Sequence, residues 1–373
     1  MSVLTGTLAP MAADVPPQLS DLAAYQGGVV TRAQILGVGL TKDIIASRLG
    51  RGRWQLLYPG VYAAFSGELS RDAVLWAVVL SAGPGAMLSH QTAAELWQLA
   101  DGPSAVIHVT VPDDRRVTRR AGMAVHVSGR ARASVHPSRN PPRTRLEETV
   151  IDLWDGAQSL DNAVGWVTSA LGRRLTTQDK LREAMQARGR VRRRKQLAEL
   201  LSPDAAGIHS VLEYRYVHNV ERPHGLSGAK RQVRVRRNGR NEYRDQLYEE
   251  YGVAVELDGR AAHPGDTRWK DIRRDNAAAA LGIATLRYGW FEVTVTPCIA
   301  AGELADVVTA RYLGARPCSA GCPVARRSTA RTSAATQPAS LRKPSQQAAA
   351  TCRVPPRAAR RATQRRTRPA ARA

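Results

Sequence analysis

The chain has 373 residues, of which 43% are hydrophobic, and a formal net charge of +23 at pH 7. It contains no run of about 18 apolar residues, which excludes a membrane-spanning helix, and its N-terminus lacks the features of a signal peptide. Four cysteines, all from Cys298 onward, are too few for a disulfide framework. We therefore expect a cytoplasmic protein with two domains and additional segments.

The positive charge is unevenly distributed. Residues 315–373 contain fourteen Lys/Arg and no Asp/Glu, which leaves +9 for the rest of the chain. Two further basic clusters lie at 188–195 and 231–240. Such clusters indicate either a polyanionic partner such as nucleic acid or a solvated basic surface, and charge alone does not separate the two. We interpret 188–195 as a solvated helix face, with a phosphate-contacting surface as the alternative, and 315–373 as a disordered arm with salt-sensitive affinity for nucleic acid.

Residues 1–16 are small and Pro-containing and predict disorder. The next segment, 17–66, predicts a short helix and then a second helix opened by a capping box at Thr31 and Gln34. A third helix is predicted over 41–49, followed by two short strands around a Pro59-Gly60 turn. This order of helices and hairpin is typical of a winged helix-turn-helix, whose third helix enters the major groove.

Residues 17–66 resemble the N-terminal winged-helix domain of AbiEi-type antitoxins from type IV toxin–antitoxin systems. Residues 28–36, 44–49 and 54–62 carry the resemblance, which implies a transcriptional regulator with a cognate toxin protein as a candidate partner. A scaffold or dimerisation unit is the alternative. Basic residues flank the third helix and its wing and predict contacts to double-stranded DNA. They are Lys42, Arg48, Arg51 and Arg53.

Residues 67–204 predict a mixed α/β middle region that continues the regulator. Helices are expected at 71–82, 89–99, 145–157 and 160–171, and strands at 106–111 and 123–127. His90 stands at the start of one helix, where a lone histidine is more often a capping or packing residue than a catalytic one. We assign no chemistry to this region.

Residues 232–258 predict consecutive antiparallel strands at 232–237, 243–248 and 253–258, with a hairpin signal at Asn238-Gly239. If the second turn is centred between residues 250 and 251, Asp245 lies opposite Glu256, with Cβ atoms roughly 5 Å apart. Asp258 shares that face. Opposed like charges destabilise a sheet unless a cation bridges them, and Mg²⁺ (or Mn²⁺) binds through one or two carboxylates.

The pattern therefore predicts Asp245, Glu256 and Asp258 as metal ligands. The alternative is that these acids only solubilise an exposed hairpin, and a one-residue slip in register would send Asp245 to the other face. A helix at 210–219 places Glu213 upstream of the sheet. A second helix at 266–281 puts Lys270 and Arg274 on one face, and a strand at 283–288 follows.

Residues 205–314 resemble the PD-(D/E)XK nuclease superfamily, and more narrowly the small domain related to very-short-patch-repair (Vsr) endonucleases. The resemblance is carried by 243–245, 255–259, His263, 271–275 and 286–287. It implies that Glu213 is the helix acid, Asp245 the principal metal ligand and Glu256 the second ligand. It also implies that His263 is a general base or supports the leaving group.

Asp258 occupies the position where the superfamily has lysine, so the catalytic cation would come from Lys270, Arg274 or Arg260. The implied reaction is metal-dependent hydrolysis of DNA phosphodiesters.

The expected fold class is thus a multidomain α+β and α/β protein. It has a winged helix-turn-helix, a mixed middle region, a restriction-endonuclease-like mixed sheet flanked by helices, and a disordered basic tail. Two functions remain open. One is a Mg²⁺-dependent DNA endonuclease directed by the winged helix, and the other is an AbiEi-like regulator or antitoxin with a catalytically decayed nuclease fold.

Three cysteines, Cys298, Cys318 and Cys322, invite a zinc interpretation, since the last two are spaced C-x₃-C. The sequence offers no clear fourth ligand, so free buried thiols are favoured.

Overall fold

A computed structural model describes residues 16–118, 120–226, 228–237, 240–259, 272, 275–276, 278–308, 316–319, 321–322 and 324. These residues form a mixed α/β protein with three small sheets. The chain divides into two compact units, Met1–Val211 and Leu212–Ala373. Within the described residues, every helix is too short or too polar to cross a bilayer.

The first unit contains ten α-helices, a 3₁₀ turn (Pro203–Ala205) and six strands in its described part. The helices are α1 (Pro17–Tyr25), α2 (Arg32–Gly37), α3 (Lys42–Gly50), α4 (Arg71–Ala82), α5 (His90–Leu96), α6 (Ala131–Ser134), α7 (Leu146–Gly156), α8 (Leu160–Gly172), α9 (Gln178–Gln186) and α10 (Arg194–Leu200). The strands are β1 (Val29–Thr31), β2 (Gln55–Tyr58), β3 (Val61–Ala63), β4 (Met87–Leu88), β5 (Ile107–Pro112) and β6 (Met123–Ser128).

At the start of the first unit, α1 to α3 pack on a sheet with strand order β1-β3-β2. The capping box is confirmed: the Thr31 hydroxyl accepts from Gln34 N, and the Gln34 side chain accepts from Thr31 N. Gly60, at φ 76°, turns the chain between β2 and β3. The core beneath is made of buried apolar side chains that include Ile35, Ile45 and Trp54.

The second sheet of this unit has the order β4-β5-β6, with β5 and β6 parallel. The helices and strands predicted between residues 71 and 171 are confirmed, with ends shifted by a few residues. The interpretation of 188–195 as a helix face is wrong, because α10 begins only at Arg194 and residues 188–193 connect it to α9. The guanidinium groups of Arg188, Arg192 and Arg193 bind acids and carbonyls of the same unit, as the Arg192–Asp155 carbonyl contact of 3.0 Å shows.

The second unit is built around a four-stranded sheet of order β10-β9-β8-β7. Its elements are α11 (Val211–Tyr216), a π-helical turn (Val217–Glu221), α12 (Arg222–His224), β7 (Lys230–Arg237), β8 (Arg240–Tyr248), a 3₁₀ turn (Glu249–Tyr251), β9 (Val253–Leu257), β10 (Ala284–Tyr288), α13 (Trp290–Thr294) and α14 (Pro297–Val308). The helix predicted to end at residue 219 thus extends to His224. Strands β9 and β10 are parallel, whereas β7, β8 and β9 are antiparallel.

The predicted register of β8 against β9 is confirmed, since Gln246 pairs with Val255 and Tyr248 with Val253. Gly252 closes the turn between them at φ 62°, and a Cβ there would lie 3.0 Å from the Gly282 carbonyl oxygen. On one face of the sheet, Tyr248, Val253 and other side chains pack against α11 and α14 in a single core cluster.

The same cluster includes Cys322 and Val324. The prediction of a disordered tail from residue 315 therefore begins too early, because these apolar side chains fill space against α14. The hairpin signal Asn238-Gly239, most of the helix predicted at 266–281, and residues 1–15 lie outside the described residues.

Candidate functional site

The predicted DNA contacts surround α3. Thr41 caps this nine-residue helix by accepting from Ile44 N at 3.4 Å. Lys42 is exposed at its first turn, and Arg51 and Arg53 are exposed just beyond its last residue. A helix of this length extends about 14 Å, comparable with a major groove about 12 Å wide. Three cations thus mark both ends of one exposed helix.

Arg48, the fourth predicted contact, has a different environment. Its side chain is buried, and its guanidinium carbon lies over the Trp54 ring, 5.4 Å from the centroid. This cation–π contact joins α3 to the hairpin. The sequence predicted Arg48 as a DNA contact, but in the structure its guanidinium group lies over the aromatic residue that follows the helix. Its role here is packing.

Asp245, the predicted principal metal ligand, lies at the end of the β8–β9 ladder. One carboxylate oxygen accepts from Leu257 N at 2.9 Å, and the other accepts from Gln232 Nε2 at 3.3 Å. The carboxylate therefore lies beside β9, as the register predicts. Both of its oxygens already have donors from the protein.

Glu256 faces a cation of its own sheet. Arg244 Nη1 lies 3.0 Å from Glu256 Oε1, and both side chains are only 6% exposed. A buried pair of this kind is strongly destabilised when one partner is removed, because the other charge is left uncompensated. The charge that offsets Glu256 is thus the arginine immediately before the predicted principal ligand, Asp245.

Asp258, at the motif-lysine position, is paired as well. Arg287 Nη1 donates to both Asp258 oxygens at 3.1 Å, and the same guanidinium donates to Asp275 at 3.0 Å. The hydrogen bonds that Arg287 donates to Asp275 and then to Asp258 raise the pKa of Arg287 above its ordinary value. The Asp258 side chain is half exposed, so this pair is held in a more polar setting than Glu256.

These contacts bear on the predicted Mg²⁺ site. Mg²⁺ needs carboxylate oxygens that are open to the ion, whereas Asp245, Glu256 and Asp258 accept from a backbone amide, an amide side chain and two arginines. In the described part of the chain, two groups of three or more Asp, Glu, His or Cys bring donor atoms within 4.8 Å of one another, and neither contains these acids. The described residues therefore do not fit Mg²⁺ in this arrangement.

Of the remaining predicted catalytic residues, one is described by the structure and three are not. Glu213 is buried on α11. His263, Lys270 and Arg274 lie outside the described residues. The structure thus brings Asp245 and Glu256 to the same end of the sheet, and describes no geometry for the predicted base or the replacement cation.

Three histidines of the first unit meet, although the sequence was assigned no chemistry there. His108 Nδ1 lies 3.0 Å from His126 Nε2, and the His90 and His126 rings stack with centroids 3.7 Å apart. His90, at φ 49°, begins α5 in the left-handed region. Burial, and then the neighbouring imidazoles, lower the pKa of His90 to about 3. The detectable signal is that two predicted strands each carry one histidine, but their parallel pairing is not visible in sequence.

The histidines line a cavity of about 670 Å³ whose far wall is an ion-pair network. Arg188 lies 2.8 Å from Asp152 and donates to Glu148 at 2.9 Å, while Arg130 donates to Glu148 at 2.9 Å. Burial raises the pKa of Asp152 to about 6 despite its arginine partner. Arg188, the first arginine of the 188–195 run, therefore has a structural role in this network.

Comparisons with known proteins include a distant structural likeness. No protein-family model matches the chain, and no curated protein matches it. A crystal structure of the RV2827C protein from Mycobacterium tuberculosis is 19% identical, with a TM-score of 0.34. The alignment covers 52% of this chain and 80% of that protein.

Proposed function

We propose that the protein binds double-stranded DNA through its N-terminal segment in the manner of a winged helix-turn-helix. The observation that carries the proposal is the exposed α3, with Lys42 at its start and Arg51 and Arg53 beyond its end. Support comes from the order α1-β1-α2-α3-β2-β3 and the hairpin that follows the third helix. The setting we propose is the cytoplasm, with phosphates as the groups that these cations contact.

We also propose that the second unit contributes binding rather than cleavage, as in an AbiEi-like regulator or antitoxin with a decayed nuclease fold. The support is electrostatic: Glu256 is offset by Arg244 and Asp258 by Arg287. A cognate toxin protein is the partner that this proposal implies. The 205–314 segment then retains a restriction-endonuclease-like sheet as a scaffold.

A binding assay with the whole protein tests the first proposal. We expect Lys42→Ala/Arg51→Ala/Arg53→Ala to weaken binding to a duplex from upstream of its own gene by at least about tenfold at 0.15–0.2 M salt. The slope of log affinity against log salt should become shallower by about 0.9 for each lost phosphate contact.

The matched control is Arg116→Ala/Arg174→Ala/Lys180→Ala, which removes the same charge from exposed positions elsewhere in the first unit. It should bind nearly as well as the unmodified protein. Equal losses in the two triple variants would mean that net charge, not α3, drives binding, and would overturn the proposal.

A second candidate function is a metal-dependent DNA endonuclease. One observation favours it: the Asp245 carboxylate accepts from Leu257 N, next to Glu256, at the end of the sheet where the nuclease resemblance expects its acids. DNA nicking that requires both Asp245 and Glu256 would support this candidate over the first.

A further inference from the structure

Four side chains with zinc-ligand chemistry meet in the second unit. They are His224 at the end of α12, Cys298 in the first turn of α14, and Cys318 and Cys322 in the segment that follows. One donor atom from each lies within 4.8 Å of the other three. Zn–S bonds of about 2.3 Å in a tetrahedral site place sulfurs about 3.8 Å apart. Cys298 Sγ and Cys318 Sγ are 3.4 Å apart, close to that spacing.

The histidine is oriented as a ligand. Its side chain is 1% exposed, and its Nδ1 lies 2.8 Å from the Val220 carbonyl oxygen. That contact requires the proton to be on Nδ1, so Nε2 carries the lone pair. Nε2 is buried and has no hydrogen-bond partner in the described part of the chain. Metal-binding histidines typically donate their other ring N–H to a carbonyl in this way.

The hydrogen bond to Val220 also fixes a form of His224 that suits a ligand. A ring that donates from Nδ1 and keeps the lone pair on Nε2 is neutral, and a neutral ring is the form that coordinates metal. An unpaired, buried nitrogen has lost its contact with water without a replacement, and a metal ion would supply one.

The cysteines are placed by packing and by a turn. Cys298 and Cys322 are buried within the core cluster, whereas Cys318 is exposed. Cys322 N donates to the Ser319 carbonyl at 3.1 Å, and this turn brings the two ends of the C-x₃-C segment together. Arg316 N donates to the His224 carbonyl at 2.9 Å, so the segment is also fixed next to the histidine.

We propose that His224, Cys298, Cys318 and Cys322 bind one Zn²⁺ ion tetrahedrally as a structural site. A Cys₃His set with no open position is typical of structural zinc, and soft thiolates disfavour Mg²⁺. On binding, the three thiols release their protons to solvent and coordinate as thiolates. The ion links residues 316–322 to α12 and α14, and thereby holds the end of the second unit against its core.

Metal analysis of protein purified under reducing conditions tests the site. We expect about one zinc ion per chain, and a tetrahedral Co²⁺ derivative with thiolate-to-metal charge-transfer absorption. Cys318→Ser removes an exposed ligand, so the protein should still fold while zinc content and the charge-transfer band fall severalfold. His224→Asn should weaken zinc binding by at least tenfold while leaving three thiolate bands.

Cys352→Ser is the matched control, since it is the same substitution at the remaining cysteine, and it should retain full zinc content. Folded protein without zinc and without a Co²⁺ charge-transfer band would overturn the proposal. So would a Cys298–Cys318 disulfide that mass spectrometry finds in protein isolated under reducing conditions. Equal zinc content in Cys318→Ser and Cys352→Ser would also contradict it.

Discussion

The second unit contains two groups of potential metal ligands, and they differ in what their donor atoms contact. The carboxylates of Asp245, Glu256 and Asp258 each accept from donors of the protein itself. His224 Nε2, by contrast, is buried without a hydrogen-bond partner among the described residues, and the His224 ring brings a nitrogen within 4.8 Å of three thiol sulfurs. The comparison shows that residue type alone does not identify a metal site. What matters is whether the metal-donor atoms already have hydrogen-bond or ion-pair partners within the protein.

The largest expected effect tests the buried pair. Glu256→Gln should lower the free energy of unfolding by about 3–5 kcal/mol, because Arg244 is left charged and buried. If Glu256 were instead opposed by Asp245 without compensation, the same substitution would remove repulsion and stabilise the protein. Chemical denaturation gives the sign. Arg244→Met/Glu256→Leu is the control, and it should recover most of the loss.

The next largest effect is stabilisation by metal ions, which distinguishes the Cys/His group from the carboxylate group. Zinc at about 100 times its dissociation constant should stabilise the folded protein by about 2.7 kcal/mol, whereas millimolar Mg²⁺ should change the melting temperature little. Asp245→Ala should keep the zinc effect and Cys318→Ser should lose it. Stabilisation by Mg²⁺ that disappears in Asp245→Ala would show that the carboxylates bind metal, and would contradict this account.

A third group, His90, His108 and His126, has nitrogen donors that are partly used by hydrogen bonds, as between His108 and His126. Its expected signature is pH dependence. The unfolded chain binds a proton on His90 below pH 6.5, but the folded protein does so only near pH 3, so stability falls as pH decreases through that window. From pH 7 to 5 this amounts to about 2 kcal/mol for His90.

Asp152 acts in the opposite direction. The folded pKa of Asp152 is about 6 and exceeds the unfolded value of 3.8, so its contribution to stability increases as pH falls through that range. From pH 7 to 5 the increase is about 1 kcal/mol. Lowered pKa values of His108 and His126 add to the loss. Between pH 7 and pH 5, denaturation should therefore show that the stability of His90→Asn changes less unfavourably than that of the unmodified protein. A pH-independent difference between the two proteins would contradict this.

The smallest expected effect concerns the half-exposed pair. Asp258→Asn should cost less than about 1 kcal/mol, because solvent screens the contact with Arg287 and Asp275 still binds that arginine. Denaturation of Asp258→Asn and Glu256→Gln under the same conditions gives the ratio of the two losses in unfolding free energy. Equal losses at the two positions would mean that burial does not distinguish these acids.

Local signals predicted most of the elements. Thr31 and Thr41 cap helices through side-chain bonds within three residues, and Gly60 turns a tight hairpin. Strand β1 was missed because it has three residues and is stabilised by β3, which lies far along the chain. Short strands of this kind depend on their partner more than on their own sequence.

The positions of the predicted carboxylates could be derived from the sequence only where β8 and β9 are paired. The register from Gln246 to Tyr248 follows from the turn, and it correctly places Asp245 next to β9. Beyond Gln246 the ladder ends, so strict alternation no longer decides which side chain Glu256 meets, and Arg244 reaches it. The zinc ligands lie on three separate segments, and the predicted helix stopped before His224, so sequence spacing did not reveal the fourth ligand.

The most direct test of DNA binding without cleavage uses plasmid and linear DNA incubated with the purified protein and Mg²⁺ or Mn²⁺. Asp245→Ala and Glu256→Ala, prepared in parallel, control for contaminating nuclease. We predict that all three proteins retain the DNA on native gels and leave it uncut. Nicking or linearisation by the unmodified protein that both variants lose would contradict this and establish the endonuclease function.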